Sequence, residues 1–253
     1  MRVPLPDAFL GAPIAHRGYH DRAAGRIENS PSAFRAAISA GYAIECDIQP
    51  ASDGTPMVFH DYDLRRLTGQ SGRIAARTPE ELSRLTLLGG EDTIPTLAEV
   101  LALVAGRVPL LIEIKDQDGA MGPSVGGLER RVAEVLKSYA GPVALMSFNP
   151  FSVAALAEAA PDLPRGLTTS AYKPEDWPLI PAPVRDRLRA IPDYDATGAS
   201  FISHEAADLD RPRVAELKSA GAAILTWTIR SPEADAAARR IAANVTFEGY
   251  HAA

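Results

Sequence analysis

The feature that most constrains this chain is a regular alternation of short apolar runs with longer, alanine-rich segments. Each apolar run has the length of a buried strand, and each alanine-rich segment is long enough to form a helix. The strand candidates are 13–16, 43–48, 109–115, 143–148, 165–169, 199–204, 222–229 and 244–249. The helix candidates between them are 30–41, 96–106, 126–141, 149–161, 183–190, 210–221 and 231–243. Repeated strand–helix units predict a parallel sheet.

Eight such units in 253 residues predict one α/β domain over 1–253, folded as a (β/α)8 TIM barrel. The competing arrangement is an open, doubly wound sheet. That arrangement is less favoured because the first strand–helix turn lacks the glycine-rich dinucleotide fingerprint.

Several predicted helices carry signals at their ends. Ser30 precedes Pro31, which suits an N-cap followed by proline in the first helical position. Gly41 suits the end of the same helix. Asp210 and Ser231 are also predicted to be N-caps, each close to a proline.

Residues 49–95 interrupt this alternation. They contain Asp53-Gly54, a pair that predicts a hairpin turn, and a short helical pattern near 79–85. We therefore predict a small insertion between the second strand and its helix.

Two strands bring carboxylates to one side of the predicted sheet. Side chains alternate between faces along a strand, so Glu45 and Asp47 share one face, and the other face carries Ile44, Cys46 and Ile48. By the same rule Glu113 and Lys115 of the next barrel strand share a face. Three carboxylates from adjacent strands form an all-oxygen site, which suits Mg²⁺ or Ca²⁺ better than zinc.

Each of these residues also has a plainer interpretation. Lys115 taken alone is best explained as an ion-pair partner of Glu113. His16 could be a core histidine and His60 a loop histidine. His16 and the three carboxylates nevertheless all fall at the C-terminal ends of consecutive strands, where TIM-barrel active sites are built.

The remaining histidines and the one cysteine are predicted to be structural. Cys46 lies on the apolar face of its strand and is expected to be inert packing. His20, His204 and His251 have no chemical partner in the sequence pattern, although His204 stands at a strand end and stays a weak candidate.

Charge and composition exclude several classes of protein. The net charge is −6 and no run rich in lysine or arginine occurs, so a nucleic-acid partner is not expected. A single cysteine permits no internal disulfide. The N-terminus has no apolar signal region, and no stretch approaches the roughly 20 apolar residues of a membrane span. These observations predict a cytoplasmic protein without stable membrane association, and composition leaves the oligomeric state open.

Taken together, the motifs resemble those of the glycerophosphodiester phosphodiesterase family. The matching stretches are AHRG (15–18), ENSPSAFRAAISAGYAIECDIQPASDGTPMVFHDYDLRRLTG (28–69), PLLIEIK (109–115) and LTWTI (225–229). The match is dense over the first 70 residues and looser, but in the same order, over the rest. The resemblance implies a TIM barrel with a small insertion after the second strand.

By position, the resemblance implies a role for each matching residue. His16 and His60 would be the catalytic histidines, and Glu45, Asp47 and Glu113 would bind the metal. Arg17 and Lys115 would contact the phosphate, and Trp227 would form a wall of the substrate pocket. The Glu28-Asn29 pair supports the match of the first loop. One departure is visible: family members often end the last strand with a Thr-Asp-x-Pro turn, whereas this chain has FEGYHAA (247–253).

The implied activity is metal-dependent hydrolysis of a glycerophosphodiester, a small-molecule substrate, to sn-glycerol 3-phosphate and an alcohol such as choline or ethanolamine. One histidine would act as the general base and the other as the general acid, and the sequence does not distinguish the two roles. As a working assignment we take His16 as the base and His60 as the acid. The nucleophile could be water or a neighbouring hydroxyl of the substrate.

Two other functions fit the same barrel. A phospholipase-type lyase, like phosphatidylinositol phospholipase C or sphingomyelinase D, would release a cyclic phosphate. Such an enzyme needs an apolar rim facing the membrane, and the aromatic content here is only 6%. A non-catalytic barrel that binds phosphorylated ligands is less favoured because both histidines are present.

Overall fold

Eight parallel strands close into a barrel in the computed structural model, which describes residues 2–253. The first strand pairs with both the second and the last, through Ile14–Ala43 and Ile14–Thr246. This closure confirms the predicted TIM barrel and excludes the open sheet, which would leave two unpaired edges.

The strands lie close to their predicted positions, and a short additional strand, β3, follows the second. The strands are β1 Ile14–Ala15, β2 Ala43–Pro50, β3 Pro56–Val58, β4 Leu110–Ile114, β5 Val143–Ser147, β6 Arg165–Thr169, β7 Phe201–Glu205, β8 Ala223–Ile229 and β9 Asn244–Phe247. The helices are α1 Pro31–Ala40, α2 Arg65–Thr68, α3 Pro79–Leu82, α4 Leu97–Val104, α5 Gly127–Leu136, α6 Pro150–Ala159, α7 Ala182–Arg189, α8 Pro212–Ser219 and α9 Pro232–Ala238.

The helix ends follow from local chemistry. The Ser30 hydroxyl accepts a hydrogen bond from the backbone of Ala33, and Gly41 ends α1 with a φ of 76°, as predicted. Ser231 caps α9 in the same way. Asp210 is not an N-cap, because the extended cap residue of α8 is Arg211, one position later and directly before the proline that starts the helix.

Alternation along β2 separates the core from the site. Ile44, Cys46 and Ile48 are fully buried in the layer between the barrel and its helices, whereas Glu45 and Asp47 point into the barrel. An apolar cluster that includes Phe9, Ile14, Leu111, Phe201 and Leu225 fills the barrel interior below the carboxylates. The carboxylates of Glu45 and Asp47 therefore lie above a layer of apolar side chains.

Residues 49–95 form a small layer beside the barrel. β3 runs antiparallel to β2, and the predicted turn at Asp53-Gly54 is present, with Asp53 accepting a hydrogen bond from the backbone of Thr55. α2 and α3 follow, and Met57, Phe59 and other apolar side chains form a separate core cluster beneath them. We propose that 49–95 be treated as an insertion within one domain, 1–253.

Candidate active site

A cavity of about 860 Å³ opens at the C-terminal ends of the strands. All eight site residues predicted from the sequence line it: His16, Arg17, Glu45, Asp47, His60, Glu113, Lys115 and Trp227. They come from five strands or the loops that follow them: barrel closure brings seven of them together, and β3 of the insertion adds His60.

The carboxylates form one compact cluster. Asp47 and Glu113 are paired in register on β2 and β4, and an oxygen from each of Glu45, Asp47 and Glu113 lies within 4.8 Å of the other two. All three side chains are buried. Burial, followed by the charges of Asp47 and Glu113, raises the pKa of Glu45 well above its ordinary value. The nearby charge of Lys115 offsets this effect only in part.

Lys115 compensates part of this charge. Its ammonium nitrogen lies 2.6 Å from Asp47 Oδ1 and 2.5 Å from Glu113 Oε1. Burial opposes the lysine charge, yet the two carboxylates raise the pKa of Lys115 above its ordinary value. The expected pairing with Glu113 is present, and it extends to Asp47.

The residues fit a hard divalent cation. The donor set is entirely oxygen, which suits Mg²⁺ or Ca²⁺. Glu45 Oε2 accepts a hydrogen bond from the backbone nitrogen of Arg17 at 2.9 Å, but no lysine or arginine side chain pairs with Glu45 among residues 2–253. The raised pKa of Glu45 shows that ionisation of this buried carboxyl is unfavourable. A bound cation would stabilise the ionised form.

His16 follows β1 and faces the carboxylate cluster. Its backbone nitrogen donates to the carbonyl of Phe247, and its Nε2 lies 4.0 Å from Glu45 Oε2. Its Nδ1 lies 2.6 Å from Glu248 Oε2. Burial lowers the pKa of His16, although the contact with Glu248 acts in the opposite direction.

His60 follows β3 on the insertion. Its Nδ1 lies 2.7 Å from Oδ1 of the adjacent Asp61, and Gln49 donates a hydrogen bond to its carbonyl. The Arg66 guanidinium holds Asp61 from the other side, with a distance of 2.6 Å between Nε and Oδ2. Burial opposes ionisation of Asp61, but the contacts with His60 and Arg66 lower its pKa below the usual range.

Arg17 and the Glu28-Asn29 pair connect the first loop to the carboxylate cluster. Arg17 Nη1 lies 2.7 Å from Glu28 Oε1, and Arg17 Nε lies 3.3 Å from Asp47 Oδ2. Asn29 donates a hydrogen bond to Asp47 Oδ2 and accepts one from the Asp47 backbone. Burial would raise the pKa of Glu28, but Arg66 and Arg17 lower it to about 2.

The backbone after His16 and Arg17 requires a glycine at position 18. Its φ is 80°, and a Cβ at this position would lie 2.9 Å from the ring of Phe34. A side chain would therefore strain the backbone and collide with α1, on which the loop rests.

The opposite side of the cavity is apolar. The indole nitrogen of Trp227 donates a hydrogen bond to the carbonyl of Ser203, which fixes the ring. The ring centre of Phe148 lies 5.5 Å from that of Trp227 and 5.0 Å from that of Trp177. Met121 belongs to the same apolar cluster as Phe148 and Trp177, whereas Met146 belongs to the cluster in the barrel interior. This wall can hold an apolar or quaternary-ammonium group.

Three buried hydroxyls also line the cavity. Thr168, Ser203 and Thr246 are each at most 2% exposed, and their hydroxyl oxygens have no hydrogen-bond partner among the described residues. Buried hydroxyls are ordinarily satisfied, so these groups are available to water or to a bound ligand.

The other candidates lie outside the cavity lining. His204 is fully buried between Thr169 and Asp208, His251 contacts the Tyr42 hydroxyl, and His20 lies 3.7 Å from Glu248. Burial raises the pKa of the Cys46 thiol well above its ordinary value, which agrees with an inert role.

Comparison with known proteins identifies the family. The model of the Glycerophosphoryl diester phosphodiesterase family matches residues 16–246. The chain belongs to this family. It is therefore an enzyme of the phosphoric diester hydrolase class. The match begins at His16 and includes both histidines and all three carboxylates.

Individual relatives agree with the family match. A glycerophosphodiester phosphodiesterase of Caldanaerobacter subterraneus subsp. tengcongensis is 32% identical over 173 residues, which are 65% of this chain and 69% of that protein. A glycerophosphodiester phosphodiesterase of Bacillus altitudinis is 32% identical over 165 residues, 62% of this chain and 65% of that protein.

Solved structures share the fold over almost the whole chain. An Oleispira antarctica phosphodiesterase, in complex with its product sn-glycerol-3-phosphate, is 25% identical with a TM-score of 0.77, over 95% of this chain and 94% of that one. A Thermotoga maritima glycerophosphodiester phosphodiesterase is 24% identical with a TM-score of 0.70, over 93% and 94% of the two chains.

Within residues 2–253, the helices are all too short or too polar to cross a bilayer. Cytoplasmic location, and the expected absence of nucleic-acid and membrane partners, stay predictions.

Proposed function

We propose that this protein hydrolyses glycerophosphodiesters in a metal-dependent reaction that yields sn-glycerol 3-phosphate and an alcohol such as choline or ethanolamine. The observation that carries the proposal is a buried cluster of three carboxylates that shares one cavity with His16 and His60. The Oleispira antarctica relative was solved with sn-glycerol-3-phosphate, which supports the same product here.

Glu45, Asp47 and Glu113 would hold the divalent ion, either Mg²⁺ or Ca²⁺. When bound, the ion would offset negative charge on the phosphate oxygens and on the carboxylates themselves. Arg17 and Lys115 would add further positive charge beside the ion. The planar Arg17 guanidinium suits two oxygens of one phosphate, and Lys115 acts as a point charge beside the cluster.

His16 and His60 would move the protons. Burial lowers the pKa of His16, which keeps its imidazole neutral and suits a general base that takes a proton from the nucleophile. His60, on the insertion, would donate a proton to the leaving alkoxide. The two histidines stand on different loops, which allows them to reach opposite sides of phosphorus in an in-line displacement.

The apolar wall would hold the alcohol. Trp227, Phe148 and Trp177 offer ring faces on which the methyl groups of choline can pack, with a cation–π contribution. The hydroxyls of Thr168, Ser203 and Thr246 would hydrogen-bond water or the hydroxyl groups of the substrate.

Replacing Phe148 tests this wall. We expect Phe148→Ala to raise KM for glycerophosphocholine about 5–30-fold with kcat nearly unchanged, because roughly 1–2 kcal/mol of ring contact is lost far from the reacting atoms. Phe151→Ala is the matched control, since Phe151 is 39% exposed and outside the cavity lining. A fall in kcat without a change in KM would contradict the assignment.

The function is tested by incubating purified protein with glycerophosphocholine and either Mg²⁺ or Ca²⁺, and then measuring free choline. We expect choline and sn-glycerol 3-phosphate in equal amounts. Absence of choline with both ions would overturn the proposal.

The same incubation separates the alternatives. A cyclic phosphate as the end product, observed by phosphorus NMR, would support the lyase. Metal-dependent binding of the diester without any product would support a non-catalytic barrel.

A further inference from the structure

Glu248 reaches His16 because of the way the barrel closes. It follows β9 directly, and β9 pairs with β1 through Ala15–Phe247. The Glu248 backbone nitrogen donates to the carbonyl of Ile229, which holds this residue against the end of β8. The two side chains meet although 232 positions separate them.

The Glu248 carboxylate is held from two sides. One oxygen, Oε1, accepts a hydrogen bond from Arg230 Nε at 2.8 Å. The other, Oε2, lies 2.6 Å from His16 Nδ1 and 3.7 Å from His20 Nε2. The contacts with His16 and His20 hold the pKa of Glu248 well below its ordinary value, against the effect of burial. The group is therefore ionised and can only accept hydrogen bonds.

We propose that Glu248 is the positioning residue of His16, holding the ring in the tautomer that carries hydrogen on Nδ1. The hydrogen must lie on Nδ1, since an ionised carboxylate 2.6 Å away cannot donate one. The lone pair of the neutral ring is then on Nε2, the nitrogen nearest to Glu45. This inference rests on the proposed function insofar as His16 is the base, because a base needs that lone pair toward the substrate.

The carboxylates that contact the two histidines come from different parts of the chain. His60 contacts the next residue in the chain, Asp61, whereas His16 depends on the turn after the last strand. That turn lies just beyond residues 16–246, over which the family model matches.

Kinetics of Glu248 variants test the assignment. Glu248→Gln keeps the shape but can donate its amide hydrogens and favour the wrong tautomer, so we expect kcat to fall about 100–1,000-fold with KM within about threefold. Glu248→Asp keeps the charge and should recover at least about tenfold of that loss. Glu216→Gln is the control, because Glu216 is an exposed glutamate paired with Arg213 on α8. Activity of Glu248→Gln within about threefold of wild type would overturn the proposal.

A double substitution separates positioning from general stability. In a His16→Ala background, adding Glu248→Gln should change kcat by less than about threefold, because its effect acts through His16. A further loss of about 100-fold would show that Glu248 acts elsewhere.

Nitrogen NMR of isotopically labelled histidine tests the tautomer without relying on turnover. We expect the neutral His16 ring of wild type to carry hydrogen on Nδ1 and that of Glu248→Gln to populate the other tautomer. An Nε2-protonated ring in wild type would refute the positioning role even if the enzyme is active. The expected tautomer in a protein that does not hydrolyse glycerophosphocholine would instead refute only the proposed function.

Discussion

His16→Ala and His60→Ala are each expected to lower kcat for glycerophosphocholine hydrolysis by about 1,000-fold, since a positioned general acid or base typically contributes about 100- to 10,000-fold. Both side chains line the cavity, and His60 has part of its surface open to solvent, so neither substitution should unfold the barrel. The measurement is the rate of choline release at saturating substrate and metal, with the melting temperature recorded for each variant.

The leaving group separates the two roles. A diester with a nitrophenyl leaving group needs little protonation, so His60→Ala should recover most of its activity on it, whereas His16→Ala should not. His251→Ala is the control, because His251 contacts the Tyr42 hydroxyl away from the cavity lining. Recovery by His16→Ala instead would reverse the assignment of acid and base. A His16 or His60 variant that keeps more than about a tenth of wild-type activity on glycerophosphocholine would exclude that residue from proton transfer.

Glu45→Gln is expected to separate activity from stability. Without metal, burial and the charges of Asp47 and Glu113 disfavour the Glu45 carboxylate, so its neutral isostere should leave the melting temperature unchanged or higher. The variant should nevertheless lose activity by about 100-fold or more, because one of the three carboxylates proposed to bind the metal is lost. Chelation of divalent ions by EDTA should abolish wild-type activity, and added Mg²⁺ or Ca²⁺ should restore it.

The same variant reports metal binding directly. An ion at about 100 times its Kd stabilises the folded state by about 2.7 kcal/mol, which is roughly 5–10 °C in melting temperature for a chain of this size. Wild type and Glu216→Gln should show this shift, and Glu45→Gln should show little of it. An equal shift in all three proteins would place the ion elsewhere, and activity that resists EDTA would remove the metal from the mechanism.

Much of the barrel and its carboxylates could be predicted from the sequence, because both depend on local patterns. Apolar runs marked the eight barrel strands, and the two-residue alternation placed Glu45 and Asp47 inside and Cys46 outside. The predicted link between Lys115 and Glu113 came from the same rule, since both lie on one face of a strand.

The contacts made by barrel closure could not be predicted in this way. Glu248 has no local signal, and only the pairing of β9 with β1 brings it to His16. Phe148 and Trp177 belong to different loops, and the contact between their rings depends on how those loops fold over the cavity. Asp61 follows His60 directly in the sequence. Arg66, whose guanidinium contacts Asp61, lies on α2, and this contact depends on how that helix packs.

The most direct test of the central claim is a crystal structure of the protein with Ca²⁺ and sn-glycerol 3-phosphate. We predict one ion bound by oxygens of Glu45, Asp47 and Glu113, with the phosphorus atom between His16 Nε2 and His60 Nε2 and both nitrogens within reach of its oxygens. An ion bound away from these carboxylates, or both imidazoles on the same side of phosphorus, would contradict the account.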